Sequence, residues 1–333
     1  MLKHVGFETV GEGQHRSGWP YCFNALQSLL SEDSPVIFDD FIERTFLYSR
    51  PDQLTFPSGK PWVGVLHHPP DIPAWYLPHM QLSSLVENKR WLAVVDRLQL
   101  IITLGTNLQQ WCQKTWPTIP SVVIKHATGR ASVDWSPERF LANRHKLAVQ
   151  VGWFMRNTTA IYQARVPDWL TKAHLRLTNL WADYAFDACR QTYAKLCPER
   201  RDIGQVKELA DLNNLQYDRL LSENVVLIEV ISAVANNAVV ECIQRNTPIC
   251  LNRHPGPVEY LGSAYPLFYD HFDEIESVLT LDNIMAAHQH LCSMDKWWIS
   301  GSMFCTQVHA ACMRHVPACR AAAVPLDDVL YGS

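Results

Sequence analysis

Residues 229–262, EVISAVANNAVVECIQRNTPICLNRHPGPVEYLG, run from Glu229 to Gly262 and decide the fold. The apolar run that opens them begins at Val225 and predicts a strand, Val225–Val230. A loop follows, then a helical pattern over Asn237–Arg245, a second strand at Pro248–Leu251, and a loop through Pro255 and Gly256 into another helix start. Strand, helix and strand in this order form the repeating unit of a parallel sheet covered by helices. Asn236 or Asn237 suits the N-cap of the first helix, because a short amide side chain accepts from backbone N–H groups that the helix leaves unsatisfied. In such sheets ligands bind beyond the carboxyl ends of the strands, and a helix mouth there favours phosphate.

The same alternation extends in both directions. In the first half, β-rich runs at His4–Phe7, Pro35–Phe38, Trp62–Leu66, Leu100–Leu104 and Val122–Lys125 are interleaved with helical patterns at Tyr21–Leu30, Leu82–Leu98 and Asn107–Thr115. In the second half, further strands are expected at Lys146–Val151, Ala173–Leu177 and Tyr265–Phe268, and helices at Asp183–Leu196, Phe272–Leu279 and Leu281–Ser293. Gly129, Ser132 and Ser136-Pro137 break the pattern over 127–136 and mark a linker. The fold class is therefore α/β, with two Rossmann-like domains at 1–135 and 136–333 facing across a cleft and the last helix returning to the first domain. The polar stretch Leu196–Asp218 reads as an exposed excursion.

With 47% of its 333 residues apolar and 19% charged, the chain can fill two cores and lacks the signature of disorder. Its net charge of −4 gives no global attraction to nucleic acid, which stays an alternative partner only through a local basic patch. Met1–Val10 has no long apolar segment and no window holds about 18 uninterrupted apolar residues, so the chain reads as soluble and cytoplasmic. Ten cysteines then read as thiols of a reducing compartment. Cys305, Cys312 and Cys319 recur every seven residues, but no CxxC pair or His–Cys cluster accompanies them, and no metal site is expected.

Three further segments carry candidate chemistry. Gly11-Glu-Gly-Gln-His-Arg16 follows the first strand, and Gly11 and Gly13 allow close backbone approach to a ligand; the segment is neither a P-loop nor a dinucleotide fingerprint. Trp62–Leu66 runs into His67-His68, placing two imidazoles at a strand's carboxyl end, where one is a candidate general base. Adjacent residues of an extended chain point to opposite sides, so one of the two faces the site. Glu241 lies about one turn inside its helix, where a carboxylate can receive both hydroxyls of a ribose. The structural alternative is pairing with Arg245 at i,i+4.

The segment from Glu241 to Gly262 resembles the nucleotide-sugar site of GT-B glycosyltransferases, in particular the glycogen-synthase-like group. That group has a Glu-bearing helix, a G-x-P-V strand and a G-G-x-x-E-hydrophobic loop. The counterparts here are Glu241-Cys-Ile, Asn246-Thr-Pro-Ile249 and Pro255-Gly-Pro-Val-Glu-Tyr-Leu-Gly262. The resemblance implies that Glu241 binds the donor ribose, with Gly256 and Glu259 near the nucleotide or sugar. Lys146–Asn157 looks like the strand that opens the second GT-B domain, and Arg156 is the implied diphosphate contact, beside Asn236 and Asn237. By the same resemblance the Gly11–Gly13 loop brings His15 and Arg16 to the donor phosphates and acceptor. One departure stands out: the group's E-x7-E pair needs a carboxylate at position 233, where this chain has Ala233, so retention or inversion stays unassigned.

The implied activity is transfer of a sugar, as by a hexosyltransferase, from a nucleotide-sugar donor to a hydroxyl of a glycan, a lipid-linked acceptor or a modified nucleobase. It would need no metal and no cofactor beyond the donor substrate. The alternatives are a nucleotide-sugar epimerase, a nucleic-acid-binding protein, or a noncatalytic interaction protein on the same scaffold.

Overall fold

The computed structural model describes residues 1–6, 18–50, 56–57, 59–177, 179–210 and 212–321. A first parallel sheet contains β1 (Lys3–Val5), β2 (Ile37–Asp39), β3 (Trp62–Leu66), β4 (Leu98–Thr103) and β5 (Ser121–Val123), in that spatial order. A second parallel sheet contains β6 (Leu147–Val151), β7 (Thr171–Leu175), β8 (Lys207–Leu209), β9 (Val225–Ile228), β10 (Ile249–Asn252) and β11 (Phe268–Tyr269), ordered β11-β10-β9-β6-β7-β8. The central strands WVGVL, LAVQV and VVLI are buried along their whole length, as strands covered by helices on both faces must be.

Each sheet has its own core. The first gathers around Phe38, Trp62, Ile101 and Trp91, the second around Val149, Leu227, Val240 and Leu251. The helix Gly301–His315 follows the second sheet in sequence but packs on helix Trp19–Ala25 and β4, adding Phe304, Cys305, Val308 and Cys312 to the first core. Cys305, Cys312 and Cys319 are all buried there, so these thiols fill space.

Two expectations are corrected. The described residues of Leu196–Asp218 are exposed or half-buried as far as Tyr217, as expected, but the stretch is not irregular: it holds β8 and the start of helix Asn214–Ser222, whose Asp218 and Ser222 are buried. An edge strand keeps a polar, exposed face, which hides it in the sequence. The single helix expected over Leu82–Leu98 is broken into Leu82–Val86, Lys89–Leu92 and a 3-10 turn at Val95–Arg97. Asn88 makes the break by capping the second piece, accepting from Arg90 N and Trp91 N.

The domains are joined on two sides of the cleft. On one side Ile72, Tyr76, Leu77 and Met80 of the first domain form a small apolar core with Met155, Ala185 and Cys189 of the second. Tyr76 Oη donates to Trp153 O at 3.0 Å and accepts from Met155 N at 3.0 Å. On the other side Tyr260 Oη donates to Leu104 O at 2.7 Å and accepts from His126 N at 3.1 Å.

Candidate functional site

In the second sheet the chain proceeds β6, β7, β8 in one direction and then returns to place β9 on the opposite flank of β6. The carboxyl ends of β6 and β9 are thus the topological switch point, where open α/β sheets leave a crevice. A cavity of about 260 Å³ lies there, lined by Gly152, Arg156, Tyr217, Asn236, Asn237 and Glu241, with His67 and Pro69 of the first domain across from them.

Arg156 sits just past β6 and bridges to Val230 just past β9. Its side chain folds over Gly152, whose φ is +71°; a Cβ there would lie 1.7 Å from Arg156 Nη1. Arg156 is 7% exposed, and Nη2 donates to Asn236 Oδ1 at 2.6 Å. Nε has no hydrogen-bond partner, and among the described residues no carboxylate forms a salt bridge with this guanidinium. Burial lowers its pKa, opposed by Tyr217 and Glu241 nearby. Asn236 Oδ1 also accepts from Ala238 N and Val239 N, capping the Asn237–Arg245 helix at its cavity end.

Glu241 is buried, and Tyr217 Oη donates to its Oε2 at 2.6 Å. Burial first, and then the Glu241 charge, pushes the Tyr217 phenol well up, so it stays a donor. Arg245 binds Asp218 at 2.8 Å in a buried ion pair and gives Nη1 to the backbone carbonyl of Glu241. The helix face carrying Glu241 and Arg245 is therefore interior, unlike the solvent-facing pair considered from the sequence. Tyr217 was missed because it falls in the stretch read as an excursion. The signal was present as Asn213-x-x-Gln216, which forms a capping box and announces a helix.

The two histidines after β3 separate. His67 lines the cavity, while His68 is buried behind it, with Nδ1 donating to Met80 O at 2.9 Å and its ring 6.0 Å from that of Tyr48. His67 Nε2 donates to Asp40 O at 2.9 Å, which fixes the tautomer and leaves the Nδ1 lone pair as acceptor. Burial drives His67 down to about 3 and His68 to about 4.

Gly256 and Glu259 do not line the cavity. A Cβ on Gly256 would meet Ala233 O at 2.4 Å, so this glycine serves the packing of helix Pro255–Leu261 against the 229–236 loop. Glu259 reaches the first domain instead: its carboxylate accepts from Thr106 N at 2.9 Å, from Thr106 Oγ1 at 2.7 Å and from Lys125 Nζ, capping the Thr106–Thr115 helix. Burial alone would raise its pKa, but the bonds from Lys125 and Thr106 hold it below the usual range. Gly11, Gly13, His15 and Arg16 lie outside the described residues.

No family model and no curated protein matches the sequence. Solved structures do match. Anabaena HepE in complex with UDP and glucose superposes at TM-score 0.56 with 12% identity, over 75% of this chain and 71% of that one. Sucrose-phosphate synthase from Thermosynechococcus elongatus gives 0.57 and 11%, over 87% and 74%. A UDP-forming α,α-trehalose-phosphate synthase from Burkholderia vietnamiensis gives 0.53 and 13%, over 92% and 78%. The chain therefore has the GT-B fold of these glycosyltransferases, and identities this low show the fold alone.

Proposed function

We propose that the chain is a glycosyltransferase that binds a nucleotide-sugar donor in the cavity between its sheets and passes the sugar to an acceptor hydroxyl. One observation carries this reading: Arg156, a buried guanidinium beside a helix mouth at the switch point, which forms no salt bridge among the described residues and has only the nearby charge of Glu241 to offset its burial. A buried cation without a direct ion pair is costly, and a phosphate anion supplies the missing partner with bidentate hydrogen bonds. The similar structures, one in complex with UDP and one of a UDP-forming synthase, support a nucleoside diphosphate as that anion.

In this reading the diphosphate rests on Arg156 and the helix led by Asn236-Asn237, and the ribose hydroxyls on Glu241, held by Tyr217. The acceptor enters from the first domain and donates its hydroxyl to His67 Nδ1. An imidazole held at about 3 orients that hydroxyl but keeps little of its proton. As the bond between the anomeric carbon and the diphosphate oxygen breaks, its electron pair goes to the diphosphate. Arg156 and the helix dipole stabilise that charge in place of a metal. The acceptor oxygen forms the new bond, and its proton passes by way of His67 Nδ1 to solvent water. Among the described residues no helix is long and apolar enough to cross a membrane. We place the protein in the cytoplasm because every cysteine among the described residues is a free thiol.

Release of nucleoside diphosphate from UDP-, GDP- and ADP-sugars, measured with and without mixed acceptors, tests the reading. Acceptor-dependent release from one donor series supports transfer. One observation favours a noncatalytic scaffold, Ala233 in place of the carboxylate, and tight nucleotide binding with no release from any donor would support that alternative.

A further inference from the structure

Strand β3 ends at Leu66, and a single buried carboxylate takes up the next two amides. Glu43 Oε1 accepts from His67 N at 2.8 Å and from His68 N at 2.6 Å. Glu43 is fully buried, and its second oxygen, Oε2, has no hydrogen-bond partner among the described residues. The His67 ring is held from the same region, through Asp40 O, and stacks on Phe41 with centroids 4.0 Å apart. The backbone and ring of His67, the one histidine among the described residues that lines the cavity, are thus both fixed by residues 40–43.

We propose that Glu43 is a positioning residue which, through the amides of His67 and His68, sets where the His67 imidazole meets the acceptor hydroxyl, more firmly as a carboxylate than as a carboxylic acid. This rests on the acceptor-side reading of His67 given above. Hydrogen bonds to an ionised carboxylate are about twice as strong as those to a neutral one, so the proton on Glu43 changes the grip on the turn. Burial pushes Glu43 up to about 7 against the lowering effect of those amides, which puts the exchange in the neutral range.

The groups that face Glu43 come from four elements. Asp39 at the end of β2 is raised well above the usual carboxylate range by burial and then by Asp40, and burial raises Tyr48 and Cys112, which are neutral at pH 7. His67 and His68 are also neutral there. Among the described residues Arg44 and Asp40 also bear on Tyr48, as Glu43 does, and Asp40 lies 2.8 Å from His4 Nε2.

Full-length protein with ¹⁵N-labelled histidine provides the test. The His67 and His68 amide shifts should titrate together with a midpoint near 7, and Glu43→Gln, which keeps an acceptor oxygen, should abolish the titration. In a transfer assay the acceptor KM of the wild type should change about fivefold across the same midpoint. Glu43→Gln should flatten that profile while the donor KM stays the same in both proteins. Amides that do not move between about pH 5.5 and 8.5, or a variant that keeps the wild-type inflection, would overturn the proposal. Nucleotide binding by the wild type, measured in parallel, judges the donor site separately, and the amide titration decides on Glu43 either way.

Discussion

Arg156 donates to Asn236 Oδ1 across 2.6 Å, and the same oxygen caps the helix that begins one residue later. The contact ties the end of β6 to the N-terminus of the Asn237–Arg245 helix and brings a cation and a helix dipole to one cavity. Because the cap survives without the guanidinium, charge and structure can be separated by substitution. Arg156→Met should leave the ligand-free stability unchanged or raise it by up to about 2 kcal/mol, since a buried charge without a direct ion pair is removed. The same variant should lose stabilisation by nucleoside diphosphates. Thermal melts with and without ligand read both effects.

Glu241, further along the same helix, is joined to Tyr217 by a 2.6 Å hydrogen bond. Tyr217→Phe removes a hydrogen bond to a buried carboxylate and should weaken donor binding about tenfold. Glu241→Ala should weaken it at least as much, and the double variant should fall short of the sum because the two contacts are coupled. Isothermal titration with the best nucleotide measures all three.

Tyr260 and Glu259 hold the domains together away from the cavity. Tyr260→Phe strips partners from Leu104 O and His126 N at once and should cost about 1–3 kcal/mol. Glu259→Ala uncaps the Thr106–Thr115 helix across the interface and should cost about 1–2 kcal/mol. Calorimetry should also show the single transition broadening as the two cores uncouple, whereas a purely local role would shift the midpoint and keep the width.

Buried histidines make the fold acid-sensitive. His68 and His126 titrate near 4 in the folded chain because burial disfavours the charged rings, against about 6.5 when unfolded. In that window the unfolded chain binds more protons, so their stabilisation is complete above pH 6.5 and is lost as pH falls through about 4. Glu43 acts in the opposite sense: its pKa is raised, so its contribution is full below about 4.5 and fades as pH rises through about 7. His68→Gln retains a donor for Met80 O and removes one titration. Its melting temperature relative to wild type should therefore climb as pH is lowered from 6.5 to 4.5, and a constant difference would contradict the assignment.

The Asn237–Arg245 helix is legible in the sequence because both ends are written in side chains: Asn236 caps one, and Asn246 takes the left-handed conformation at the other, φ 57°. Trp62–Leu66 is equally plain, since a fully buried strand is an unbroken apolar run. β8 is hidden because three residues, Lys-Glu-Leu, on a solvated edge carry no such pattern. Alternation says that one of His67 and His68 faces the cleft, but the choice depends on Met80 O and Asp40 O, which only the folded chain brings near. Glu259 illustrates the same limit. Its partners, Thr106 and Lys125, lie in the other domain, and local spacing gives no sign of them.

The most direct test of the donor site is a thermal-shift panel of UDP, GDP, ADP, CDP and TDP with their sugars, run on wild type, Arg156→Met and Glu241→Ala. A ligand at a hundred times its Kd stabilises the native state by about 2.7 kcal/mol. The account predicts a shift for one nucleotide series, larger for its sugar, that each substitution diminishes. No shift across the panel, or a shift that survives both substitutions, would contradict a donor site at Arg156 and Glu241.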